Sequence, residues 1–163
     1  MDRREFFISR RKAEYPAFQR VIEALPRDRF DYRPHERSPS AGDVVWTLAC
    51  ETWACCQMVD EHRVDWKPPP PPAVDEILAG FARGYETLDA KVGRLGDAEW
   101  QKPCQLVVDG KVMLEQGLGD FLWYLFFDAI HHRGQLSTYI RPMGGRVPSI
   151  YGPSGDDPGL ASG

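Results

Sequence analysis

The sequence predicts an all-α protein, a four-helix bundle with one short extended excursion between its third and fourth helices. Three observations predict it. Four long segments read as helices, the third and fourth with apolar residues at the 3–4 spacing and the second apolar around most of its circumference. No internal repeat divides the chain, so the four segments belong to one unit. The stretch from Pro103 to Leu114, the one substantial non-helical insert, breaks the helical period with β-branched residues flanking a turn signal.

The first helix is expected from about Asp2 to Leu25, closed by Pro26. Its basic run, Arg3, Arg4, Arg10, Arg11 and Lys12, reads as a solvated face. The second starts at Ser40, where Asp43 three residues on resembles a capping box. It continues to about His62 and is apolar around most of its circumference, as a central helix would be. Pro68 to Pro72 cannot extend a helix and favour a stiff extended spacer over a ligand for a proline-reading domain. The third helix spans about Val74 to Leu95, with Ile77, Leu78, Phe81, Tyr85, Leu88 and Val92 as its apolar stripe. Asp109-Gly110 marks a hairpin turn in the excursion. The fourth helix runs from about Gly117 to Met143, and Gly144 and Gly145 end it. The domain is placed at residues 1–155. Ile150 and Tyr151 are expected to dock on the bundle, and 156–163 to form a flexible tail.

The totals narrow the function. At 163 residues, 42% of them hydrophobic, the chain makes one well-filled domain. A net charge of −4 weighs against a nucleic-acid binder, which usually carries a basic surplus. No apolar run reaches the roughly 18–20 residues that span a bilayer, and the N-terminus lacks the apolar centre of a signal peptide. A cytoplasmic protein with reduced thiols is the expectation. Cys50, Cys55 and Cys56 share one helix, Cys104 stands apart and no CxxC pair occurs, so the cysteines read as small apolar residues.

The chemistry concentrates in the last helix, DAIHHRGQLSTYIRPMGG. Asp128 and His132 lie four residues apart, so both side chains stack on one face and could reach one metal ion. They continue the apolar stripe Phe121, Leu125, Leu136 and Tyr139. A carboxylate and an imidazole aimed at a core are costly without a metal, a mutual hydrogen bond or a water. His131 points roughly 100° away around the helix, and His35 and His62 are expected to be exposed.

The segment IHHRGQLSTYIRPMGGRVPSIYGPSGD, with SPSAGDVVWTLACE in the second helix, closely resembles the DinB-like (DinB/YfiT) superfamily. That resemblance implies a four-helix bundle, frequently a homodimer, often with a divalent metal held by one side chain of the second helix and two of the last. Members characterised as thiol-S-transferases use low-molecular-weight thiols such as bacillithiol or mycothiol. Carried over, His132 matches the second residue of the last-helix pair and Asp128 the first, as the carboxylate found in mycothiol-dependent maleylpyruvate isomerases. The second-helix ligand is expected at position 47, where this chain has Thr47, a poor ligand for zinc or nickel. Glu51, one turn later on the same face, is the candidate third ligand, or a structural partner of Arg133 or a tyrosine. Such a carboxylate-rich set suits manganese, iron or zinc better than copper. Thr47, Gln135 and Arg141 are candidate contacts to a small-molecule substrate, with Gln135 and Arg141 also able to anchor the tail. Two functions compete: a divalent-metal-dependent enzyme related to thiol-S-transferases, and a metal-free bundle that binds small molecules or acts as a dimeric interaction module.

Overall fold

The computed structural model describes residues 2–159. The first helix, α1 (Arg3–Glu23), starts at a capping box in which Asp2 accepts from the Arg4 amide and Glu5 reaches back to the cap. A 3-10 turn at Arg27–Arg29 leads to α2 (Ala41–Glu61), capped as the sequence suggests by Ser40 and Asp43. The long helices α3 (Val74–Val92) and α5 (Leu118–Ile140) follow, separated by the single turn α4 (Asp97–Trp100) and a β-hairpin.

The central position expected for α2 holds. It packs on both α3 and α5, while α1 packs on α5 and α3. Val44, Val45, Leu48, Cys55 and Met58 from α2 meet Phe81 and Leu88 from α3 and Phe121, Leu122 and Leu136 from α5 in one core. Phe7 and Phe18 of α1 close it from the far side. Burying each such side chain contributes about 1.5–3 kcal/mol, so this shared core holds the helix carrying Glu51 against the helix carrying Asp128 and His132.

The all-α expectation needs correction. Among the described residues the bundle has five α-helices and a three-stranded sheet. The excursion is the expected hairpin, β2 (Pro103–Val108) paired antiparallel with β3 (Lys111–Gly117). Asp109 and Gly110 both take positive φ, 49° and 74°, which a two-residue hairpin turn of this hand requires. The strand not foreseen is β1 (Arg63–Asp65), which pairs parallel with β2. It forms because His62 ends α2 in the left-handed region, φ 54°, and turns the chain beside the hairpin. His62 is therefore only part-exposed, with its Nδ1 buried, contrary to expectation.

Pro68–Pro72 runs outside any helix or strand and is exposed, consistent with a spacer. It is also fastened, because the Trp46 indole donates to the Pro69 carbonyl at 2.9 Å. Arg11 departs from the solvated basic face: it is 4% exposed, paired with Asp89 at 2.7 Å, and stacked 3.7 Å from the Tyr85 ring centre. In the expected flexible tail, Asp156 accepts from the Val147 amide and from Arg141, and Asp157 accepts from the Ser149 amide. Those bonds fasten 156–159 to the segment before it, and 160–163 lie outside the described residues. Among the described residues no helix is long and apolar enough to cross a membrane.

Candidate metal centre

Glu51 lies in the third turn of α2 and points between the helices, its side chain 5% exposed. Asp128 and His132 project from adjacent turns of α5. His132 Nε2 stands 3.4 Å from Glu51 Oε1 and 3.7 Å from Asp128 Oδ2. Among the described residues these three form the one group of acid, imidazole or thiol side chains whose ligand atoms all lie within 4.8 Å of one another. The proposed ligand set is thus brought together, though Asp128 is 40% and His132 20% exposed. One side of the cluster meets solvent and the other meets the core.

The other candidates fall differently. Thr47 turns its hydroxyl back to donate to the Asp43 carbonyl at 2.9 Å, a bond within its own helix. Gln135 lies against the cluster, its Oε1 3.2 Å from His132 Nδ1. Arg141 pairs with Asp156 at 2.8 Å, the tail-anchoring alternative. His131 is exposed on the neighbouring face, with its ring centre 5.4 Å from that of His132. The structural partners suggested for Glu51 are taken elsewhere: Arg133 binds Glu14 and the Tyr151 hydroxyl, and stacks 4.9 Å over Phe18. That cluster ties the Tyr151 hydroxyl to the bundle, while the residue stays 73% exposed. Sequence spacing could not reveal it, because Glu14 and Arg133 are 119 residues apart.

Burial and charge set the electrostatics. Burial pushes the Glu51 carboxyl up to about 7, against the attraction of His132. The bond to Glu51 raises the His132 imidazole to about 8, against its own burial. Glu51 Oε2 is buried with no hydrogen-bond partner. A small cavity that Glu51 lines, about 10 Å³, is bounded also by Arg11, Thr52 and Tyr85 and by apolar groups such as Leu122, Leu125 and Phe126, with space for at most one water. A buried carboxylate with Oε1 facing the imidazole nitrogen and Oε2 orphaned, next to a second carboxylate, is a donor set that fits a divalent cation.

A pH dependence follows. Both groups bind protons more tightly folded than unfolded, since ordinary values are 4.5 for Glu and 6.5 for His. Their contribution to stability is complete below the lower unfolded value and is lost as pH rises through about 7 and then about 8. Chemical denaturation of metal-free protein should show stability falling by roughly 2–4 kcal/mol across that window. Glu51→Gln should flatten the slope; an equally steep slope in that variant would place its source elsewhere.

Comparison with known proteins settles the relationship. A model of the DinB family matches residues 7–159. The chain belongs to the DinB family. Two solved DinB-like structures share its fold. One, from Bacillus cereus, superposes with a TM-score of 0.72 at 18% identity, covering 90% of this chain and 97% of that one. The other, from Bacillus subtilis, gives a TM-score of 0.67 at 17% identity, covering 85% and 92%. At that identity the likeness is one of fold. No curated protein matches the chain. Within this DinB-family chain the metal-binding potential rests on its own Glu51, Asp128 and His132.

Proposed function

We propose that this DinB-family protein holds one divalent cation between Glu51, Asp128 and His132 and is an enzyme related to the thiol-S-transferases. The unpartnered, buried Glu51 Oε2 is the observation that carries this reading. Leaving a buried carboxylate oxygen without a partner costs about 1–3 kcal/mol or more, and a cation held by both oxygens of Glu51 removes that cost. One imidazole with two carboxylates suits manganese, iron or zinc, with nickel a further candidate. Bound there, the cation supplies Lewis acidity that lowers the pKa of a water or of a low-molecular-weight thiol. Glu51 and His132 anchor from the buried side, while the more exposed Asp128 borders the side from which a small-molecule substrate enters.

A second reading draws on Thr47 and on the His132–Glu51 contact, which partly neutralises the cluster without metal. Here the protein is a metal-free bundle that binds a small molecule or another protein. Elemental analysis of tag-free protein, expressed in supplemented medium and never exposed to chelator, separates the two. About one equivalent of zinc, manganese, iron or nickel supports the enzyme reading, and thiol-transfer assays with that metal follow. Absence of stoichiometric metal supports the second.

The proposed homodimer uses the face between α1 and α5. There Phe6 and Phe127 are 48% and 61% exposed beside Trp123 and Ile130. An exposed aromatic patch of this kind is typical of an interface. Sedimentation velocity should give a dimer for the native chain and a monomer for Phe127→Asp. A native monomer at high concentration would remove the proposal.

A further inference from the structure

The backbone carbonyl of Pro39 has only lone pairs to offer. Tyr139, 3% exposed, sets its hydroxyl 3.2 Å from that carbonyl, so the hydroxyl proton must go to Pro39. The hydroxyl oxygen is then free to accept, and Gln135 Nε2 donates to it at 3.0 Å. With its amide nitrogen committed there, Gln135 turns its carbonyl oxygen to His132 Nδ1, 3.2 Å away. An oxygen at that distance requires a proton on Nδ1. The opposite ring nitrogen, Nε2, is the one facing Glu51 and Asp128. From Pro39, each hydrogen bond dictates the direction of the next.

We infer that the Pro39–Tyr139–Gln135 chain is a positioning relay that keeps the proton on His132 Nδ1 and directs the Nε2 lone pair at the cation site. Gln135 and Tyr139 act through His132 and touch no metal themselves. The inference deepens the cation reading and rests on it for its purpose, but its hydrogen bonds exist without metal. It also reassigns Gln135 from substrate contact to support of a ligand. Pro39 directly precedes the Ser40 cap of α2, so the relay ties the start of the helix that carries Glu51 to the helix that carries His132. Ligand imidazoles are generally held by such an acceptor on their other nitrogen, and losing it weakens metal binding about 10–100-fold.

The test uses the full chain with zinc as probe. Zinc affinity is measured by chelator competition for the native protein, Gln135→Leu, Gln135→Glu and Tyr139→Phe, with circular dichroism and melting temperature in parallel. Gln135→Leu should weaken zinc binding about 10–100-fold at unchanged helicity. Gln135→Glu, which keeps the acceptor, should restore it, and Tyr139→Phe should fall between. Equal losses in Gln135→Leu and Gln135→Glu would overturn the relay in favour of a packing role. A second readout needs no metal: the His132 Nδ1 proton is followed by nitrogen-15 resonance in metal-free protein. It should be protected from solvent exchange in native protein and in Gln135→Glu, and lose protection in Gln135→Leu. Protection unchanged in Gln135→Leu would overturn the relay even if zinc binds. Protection as expected with no zinc binding in native protein would uphold the relay and remove the cation reading.

Discussion

His132→Ala should weaken zinc binding by more than about 100-fold while leaving helical content intact. The imidazole is the only nitrogen ligand of the cluster, and imidazole is the group that suits zinc, iron and nickel there. Two carboxylates without it make a weak oxygen site. The fold should survive because His132 is 20% exposed and its neighbours Arg133 and Leu136 supply the packing of that turn. Glu51 loses its cationic partner, but burial already pushes its carboxyl up to about 7, so it can take a proton instead. Calorimetric titration with zinc, beside a far-ultraviolet spectrum, checks both halves. Native-like affinity in His132→Ala would mean that zinc binds elsewhere.

Arg11→Ala should cost about 3–5 kcal/mol of stability, the expected result of removing one partner from a buried ion pair. Arg11 donates to Asp89 at 2.7 Å and to the Tyr85 carbonyl at 3.1 Å, and its guanidinium covers the Tyr85 ring. The Tyr85 hydroxyl returns a 2.8 Å bond to the Arg11 carbonyl, so α1 and α3 are joined at both ends of one residue pair. Alanine leaves Asp89 without its cation and opens a void under Phe7 and Tyr85. Urea denaturation should show the midpoint falling with little change in slope. A loss below about 1 kcal/mol would show that the pair behaves as an exposed one.

The same residue shows what the sequence could and could not disclose. Arg11 sits four residues after the buried Phe7 and seven before the buried Phe18, on the apolar stripe of α1. That spacing was visible, but a run of neighbouring arginines and a lysine made the whole face read as solvated. The long helices were legible because α3 and α5 carry an apolar period, α2 is apolar around most of its circumference and has its own cap, and Pro26 closes α1. The hairpin was legible because Asp109-Gly110 is a local turn signal. By contrast, β1 has only three residues and exists because β2, some forty residues later, lies beside it. No local pattern encodes that pairing.

The site divides along the same line. Asp128 and His132 were legible because four residues on a helix fix their neighbourhood. Glu51 was recoverable only by asking what could replace a missing histidine at Thr47, one turn earlier. Its burial and its unsatisfied oxygen depend on how α2 packs against α5. The roles of Gln135 and Tyr139 were less accessible still. They depend on a carbonyl a hundred residues away, although the four-residue steps from Gln135 to Tyr139 and from Asp128 to His132 lie on one helix.

The most direct test of the central claim is a crystal structure of zinc-loaded protein with data collected on both sides of the zinc absorption edge. The account predicts one strong anomalous peak bounded by Glu51, Asp128 and His132 Nε2, with ligand distances of about 2.0–2.2 Å. A cluster without a peak in zinc-saturated crystals, with Glu51 and His132 still in direct contact, would contradict it.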